Sequence, residues 1–461
     1  MKNIGVVLLV VILSGCAART AGPAGPAADG APGAISEASV RGHMEFLAGD
    51  AMNGRGSGTR DEWIAASYVA SHLRRLGLEP LGDNGGYLQT IEIERPELAA
   101  PPALSFGGNR YVHGKQINVI TMNSASTSGP FTRFQDGQAV PAGSVVLVEE
   151  VGKVARAVRS AAMVLAKSKG CGGFRLQPGA LPRISPRTLG VLPPAARPAC
   201  VALDDETHAA AARLAPGAVV TLAGEVKTIR KTRTWNAVGR LTGTDSRQAQ
   251  EAILLSAHID HVGNGRGRAP AGGDNIYNGA DDDASGSVAV LELAGAIAGG
   301  PRPRRTIVFA WFGSEESGGA GSRYFADRPV VPLDAIVANL QFEMIGRPDA
   351  KVPRHTLWLT GYERSTLGPE LARRGARLVQ DPRPEQQFFA RSDNIELARR
   401  GVIAHTVSSF GLHKDYHQPS DEIGTIDFAH MTDAIRSMVE PVRWLGNASF
   451  KPDWLPGQRP E

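Results

Sequence analysis

The chain has 461 residues, 42% of them hydrophobic and 21% charged, enough apolar material for a large core shared between two domains. With 50 Lys and Arg against 46 Asp and Glu, the formal net charge is +4 and no long basic run appears, so nucleic acid is not an implied partner. Three Cys exclude a disulfide-rich scaffold.

The first residues read as an export signal. Lys2 gives a short positive start, and Ile4 to Leu13 is almost wholly apolar yet too short to stay in a bilayer as a spanning helix. Leu13-Ser14-Gly15-Cys16 follows and resembles the bacterial lipobox, in which the Cys is acylated and becomes the mature N-terminus. The alternative is an ordinary secretory signal with an incidental Cys. The resemblance implies a signal peptide over residues 1–15, a lipid anchor through Cys16 and a periplasm-facing envelope protein. Ala17, in place of an aspartate retention signal, points towards the outer membrane. Residues 16–34 are Ala, Gly and Pro with little to bury, a flexible tether. No later stretch is apolar enough for a transmembrane helix. Export makes Cys171 and Cys200 candidates for one disulfide, with two unpaired thiols as the alternative.

From Ile35 the texture changes. Ser36 to Leu47 suits a short helix, and Gly49 to Gly58 is a glycine-rich turn. No Lys-Ser/Thr follows that turn and no strand precedes it, so it reads as a loop near an active-site rim rather than a phosphate cradle. Asp61 begins an amphipathic helix through Trp63, Val69, Leu73 and Leu76, stopped by Gly77, and Tyr87 to Glu94 alternates like a strand. Residues 101–230 mix strand-like runs (Ile117 to Thr121, Ser144 to Val148, Val219 to Leu222) with a helix expected around Val154 to Ala166. They read as an inserted smaller domain, the alternative being one large domain with a long lobe. From Trp235 strand and helix alternate, as in an α/β sheet. The strands are Ala252 to Ala257, Thr306 to Phe312, Ala335 to Phe342, Thr356 to Thr360 and Val402 to Ser408. Helical segments are expected after Val288, over Gly368 to Arg374 and over Asn394 to Arg400. The fold class is α/β, a mixed, mostly parallel sheet flanked by helices, with the catalytic domain built from residues 35–100 and 231–450.

One stretch organises the rest. Asp281, Asp282 and Asp283 stand together before the apolar helix of Val288, Leu291, Ala294 and Ile297. Adjacent like charges repel, and a multivalent cation reverses that cost. Ligands of open α/β sheets bind beyond the carboxyl ends of the strands. There this chain has His258-Ile259-Asp260-His261, Glu315-Glu316, Glu343 and the loop from Gly411 to His417. Imidazole and carboxylate ligands without thiolate suit zinc in a catalytic site. Two His and three carboxylates are too many for one tetrahedral ion and about right for two.

His-Xaa-Asp-His, Asn-Gly-Ala-Asp-Asp-Asp-Ala-Ser-Gly, Gly-Ser-Glu-Glu-Ser-Gly and Asp-Tyr-His-Gln-Pro-Ser-Asp resemble the di-zinc aminopeptidase family of bacterial leucyl aminopeptidases, aminopeptidase Y and glutamate carboxypeptidase II. The resemblance runs from Trp235 to about Asp427 and implies a three-layer zinc exopeptidase fold, with residues 101–230 as a protease-associated-like insert. It implies hydrolysis of N-terminal residues from peptides. Carried over by residue, His258 binds the first zinc, Asp281 bridges both, and Glu316 and His417 bind the second. Glu315 is then the general base, Asp260 orients His258, and Tyr416 steadies the oxyanion. Glu343 stands where the family usually has Asp as the remaining first-zinc ligand. A cis peptide is expected at Asp281-Asp282, supporting or surface roles at His261 and His413 with substrate contact as the alternative, and a pocket-lining segment at Arg391-Ser392-Asp393 with a helix cap as the alternative. The rival readings are a carboxypeptidase or glutaminyl cyclase on the same scaffold, and a non-catalytic receptor-like binding module.

Overall fold

The computed structural model describes residues 34–154, 157–167, 181–182, 184–185, 187–189, 198–264 and 273–460. The expected signal peptide, Cys16, the tether to residue 33, and Cys171 lie outside these residues. Cys200 is disulfide-bonded. No helix among the described residues is long and apolar enough to cross a membrane.

The larger sheet is built from β1 (Leu88–Leu98), β2 (Val226–Leu241), β3 (Ala252–His258), β4 (Thr306–Phe312), β5 (Ile336–Phe342), β6 (Leu357–Leu359), β7 (Leu378–Gln380) and β8 (Ala404–Ser408). Their order is β7-β6-β8-β5-β3-β4-β2-β1, with Arg187–Thr188 beyond β1 and Glu79–Pro80 against β2. β3 runs parallel to β4 and β5, and β5 parallel to β8. Four adjacent strands therefore end at one edge. Every residue of β3, β4, β5 and β8 is buried, as expected of strands covered on both faces.

Alternation sorts the side chains of β3. Ile253, Leu255 and Ala257 face one layer with α1 (Glu37–Leu47), α2 (Arg60–Arg75), α3 (Gly286–Ala298) and the long C-terminal helix Phe428–Asn447. Ala252 and Leu254 face the other layer, with Phe325, Leu397 and Ala398 from the helices Ala320–Asp327 and Asn394–Arg399. Helices cover both faces, and each fully buried Leu or Ile contributes about 1.5–3 kcal/mol. Ser36 and Thr59 cap α1 and α2 by accepting main-chain N–H groups in their first turns.

A second, 8-stranded sheet is made wholly from residues between Ala103 and Ala223. Its own core gathers Leu104, Val119, Phe131, Val145, Met163, Val201 and Leu222. The chain leaves along β1 and returns along β2, which pair antiparallel from Leu88 with Ala237 out to Leu98 with Val226. The helix expected over Val154 to Ala166 is corrected here. Among the described residues of this stretch helix occupies only Val151–Val154, and Met163–Lys167 is a strand between parallel neighbours Val145–Leu147 and Ala199–Leu203. Met163 to Ala166 is buried on both faces, and such a short apolar run has no period by which helix and strand can be told apart.

Candidate metal centre

The register of the parallel strands brings the chemistry together. His258 closes β3 opposite Phe312 of β4, and Phe342 of β5 lies opposite Val407 of β8. Glu315 and Glu316 follow β4, Glu343 follows β5, and the segment to His417 follows β8. The acidic turn enters α3 beside them. Gly279 opens that turn at φ 56°, and a Cβ there would meet the Asp282 carbonyl oxygen at 2.2 Å and the His261 ring at 2.5 Å. Glycine alone fits both demands.

The three carboxylates of the turn do different things. Asp281 is spent on the fold: Oδ1 accepts from the Gly346 N–H at 2.7 Å and the Ser285 hydroxyl at 3.2 Å, and Oδ2 lies 2.9 Å from His413 Nε2. Asp283 accepts from the main-chain N–H groups of His258, Gly286 and Met344. Asp282 faces the centre, with Oδ1 at 3.2 Å from His258 Nε2 and Oδ2 at 3.1 Å from His417 Nε2. The shared carboxylate is therefore Asp282, and the bridge expected at Asp281 is corrected by one residue. The cis peptide likewise lies at Asp282-Asp283 rather than Asp281-Asp282.

Among the described residues two groups could hold metal ions, and Asp282 belongs to both. His258, Asp282 and Glu343 form one; His261, Asp282, Glu316 and His417 form the other. Glu316 Oε1 is 3.0 Å from His417 Nε2 and 2.9 Å from His261 Nδ1. Glu316 Oε1, Glu343 Oε2 and both ring nitrogens of His261 are buried without a hydrogen-bond partner. Buried imidazole and carboxylate atoms left without partners, and no thiol among them, are the donor set zinc takes. Burial would raise Asp282, but His258 and His417 outweigh it and hold the carboxyl well below its ordinary range. Removal from water, with the Asp282 and Asp393 carboxylates adding, pushes Glu343 up to about 7. Glu315 belongs to neither group. Removal from water and its neighbours Asp393, Glu316 and Glu343 raise its carboxyl well above the usual value.

Residues 236–440 match the family described as Peptidase family M28. An aminopeptidase of Pseudomonas aeruginosa is 33% identical over 122 residues, 26% of this chain and 20% of that protein. Leupeptin-inactivating enzyme 1 of Streptomyces exfoliatus is 34% identical over 99 residues, 21% of this chain and 20% of that protein. The chain thus spans about a fifth of the length of these curated relatives. An aminopeptidase from Aneurinibacillus sp. strain AM-1 superposes at TM-score 0.54 with 16% identity, over 93% of this chain and 97% of that one. A zinc aminopeptidase from Bacillus subtilis gives TM-score 0.51 with 18% identity, over 90% and 96% of the two chains. At these identities the likeness is one of fold.

Around this centre lies a frame that sequence reasoning reached only in part. The Asp260 carboxylate is 3.8 Å from His258 Nδ1, while that nitrogen lies 3.1 Å from the Asp260 main-chain oxygen. Orientation of His258 therefore falls to the carbonyl. The carboxylate instead accepts from the main-chain N–H groups of Glu315 and Glu316 and from the Ser57 hydroxyl, holding the turn that carries the paired glutamates. Asp421, the last residue of the Asp-Tyr-His-Gln-Pro-Ser-Asp motif, accepts from the N–H groups of Asp281 and Asp282. Glu62, fully buried on α2, accepts from Thr234, Ser314 and Gly58.

Arg55 is the other part that was missed. It sits in the glycine-rich turn, 1% exposed, and donates to the carbonyls of Leu47, Ile259, Asn278 and Gly279. Burial works against its charge; the carboxylates of Asp283, Asp260, Asp282 and Asp421 work for it. It ties the first helix to the two loops that present His258 and Asp282. Arg55→Met strands those carbonyls and leaves the acidic turn uncompensated, so the protein should lose about 3–5 kcal/mol in denaturant unfolding. Arg55→Lys should recover only part of that loss, since one ammonium cannot span a fork of four acceptors.

Proposed function

We propose that the chain is a zinc-dependent aminopeptidase, hydrolysing N-terminal residues from peptides. The observation that carries this reading is the pair of ligand groups meeting at Asp282 with Glu315 beside them and bound to neither. His258 and Glu343 would hold one zinc, His417 and Glu316 the other, and Asp282 both. When bound, the ions supply Lewis acidity at the scissile carbonyl and lower the pKa of the attacking water. Glu315 takes the proton of that water and passes it to the leaving amine. Tyr416 donates its hydroxyl to the developing oxyanion. Burial and the surrounding carboxylates raise its phenol, keeping it a donor, and its ring stacks on His417 with centroids 3.9 Å apart.

An amino terminus suits the charge of the site. Asp393, in neither ligand group, has a buried Oδ2 without a hydrogen-bond partner, which would receive an α-ammonium group. The apolar walls beside Glu343 and Tyr416 (Met344, Trp358, Phe388 and Phe410) would take the first side chain. Residues 35–100 and 231–450 form the catalytic domain in this reading, and residues 101–230 a protease-associated-like insert. Cys16 would carry the lipid anchor, holding the enzyme in the cell envelope on the periplasmic side of the outer membrane. A relative in Mycobacterium tuberculosis, 29% identical over 125 residues, is a probable lipoprotein aminopeptidase.

The test is hydrolysis of aminoacyl-nitroanilides by the metal-stripped and zinc-restored protein. Zinc should restore cleavage of substrates with a free amino group and leave N-blocked peptides intact. Cleavage of N-blocked peptides from their C-terminus would favour a carboxypeptidase, and zinc-dependent cyclisation of glutaminyl peptides a cyclase.

A further inference from the structure

The two ligand groups are unequal. One gathers four side chains, the other three. The difference is His261, to which the ligand assignment above gives no role. It is fully buried, and neither ring nitrogen has a hydrogen-bond partner. Its Nδ1 lies 2.9 Å from Glu316 Oε1 and 3.8 Å from Asp282 Oδ2. His417 Nε2 lies 3.0 Å and 3.1 Å from the same two oxygens. Two imidazoles thus converge on one pair of carboxylate oxygens, their rings 5.5 Å apart and inclined at 72°.

The backbone holds His261 in that position. Its N–H donates to the Arg55 carbonyl at 3.0 Å, and the missing Cβ of Gly279 makes room for the ring. A buried polar group left without a partner is destabilising. A ligand bond to the ring would offset that cost.

We infer that His261 is a fourth protein ligand of the Glu316–His417 site, which makes the two sites chemically different. This rests on the zinc reading above. His261, Asp282, Glu316 and His417 would supply four protein donors, the number of a closed site. His258, Asp282 and Glu343 leave a position open, the pattern of a site where water and substrate exchange. Each group carries two carboxylates, so charge does not separate them; the number of imidazoles does. The four-residue site fills first and holds its ion. The three-residue site fills second and empties first on dialysis.

The experiment is a metal titration of the stripped, full-length protein, followed by calorimetry and by the visible absorption of Co²⁺. The first equivalent of Co²⁺ should give the intense absorption of a four-coordinate ion, and the second a weaker band of higher coordination. His261→Asn should weaken the first step by about 100-fold or more, beyond the usual effect of altering a group that only supports a ligand. His258→Gln should abolish the second step and leave the first. Two equal steps in the native protein, or an unchanged first step in His261→Asn, would overturn the inference. Should His261→Asn fail to fold, the order and intensity of the two Co²⁺ bands in the native protein decide alone. Absence of any tight metal binding would instead reject the zinc reading itself.

Discussion

Replacing Glu315 with Gln should lower turnover of an aminoacyl-nitroanilide by about 10²–10⁴-fold, the contribution of a positioned general base, while both zinc ions stay bound. The amide keeps the shape of the side chain and cannot take a proton. Glu315 lies outside both ligand groups, so its loss removes no donor from either ion. Its main chain is held from below by the Asp260 carboxylate at 2.9 Å, so the turn that also carries Glu316 should keep its form. Burial, and after it the neighbouring carboxylates Asp393, Glu316 and Glu343, raise the Glu315 carboxyl above the usual carboxylate range. Three readings of one protein settle the matter: kcat, KM and zinc content. A fall in kcat at full zinc occupancy supports the assignment. Turnover within tenfold of the native enzyme would remove Glu315 from the role, and a fall in zinc content would make it a ligand.

The gathering of His258, Glu316, Glu343 and His417 at one edge was legible because parallel strands announce themselves. His258 ends β3, Glu343 follows β5 directly, Glu315 follows β4 after two small residues and the loop to His417 follows β8, and parallel register then puts those ends side by side. Which carboxylate of the triplet faces the centre was not legible. Asp281, Asp282 and Asp283 are chemically identical, and only the path of the turn decides which of them points inward. His261 was assigned a supporting or surface role because a lone His four residues from the end of a strand run has no period to read. Its burial depends on Gly279, 18 positions later in the chain. Arg55 was hidden for a similar reason. The glycine-rich turn read only as a loop near an active-site rim, and the four acceptors of Arg55 come from three separate segments. The strand Met163–Lys167 was misread because its apolar run carries neither a period of two nor one of 3.6.

A paired substitution separates neighbours in the triplet. Asp282→Asn should strip both metals and lower turnover by about 10³-fold or more, since several kcal/mol of charge stabilisation would go with the ions. Its two oxygens face different imidazoles, His258 at 3.2 Å and His417 at 3.1 Å, so a neutral amide weakens both groups at once. Asp281→Asn removes something else. The carboxylate there accepts from Gly346 and Ser285 and meets His413, contacts that hold the turn against the loops after β5 and β8. An amide oxygen keeps part of that pattern, so the expected cost is about 1–3 kcal/mol of stability with both zinc ions retained. Zinc content and denaturant midpoint, measured on the two variants side by side, give opposite patterns. Asp282→Asn should be metal-free, whereas Asp281→Asn should be metal-loaded and less stable. The reverse pattern would restore Asp281 as the bridge and mean that the turn between Gly279 and Gly286 takes a different path when zinc is bound.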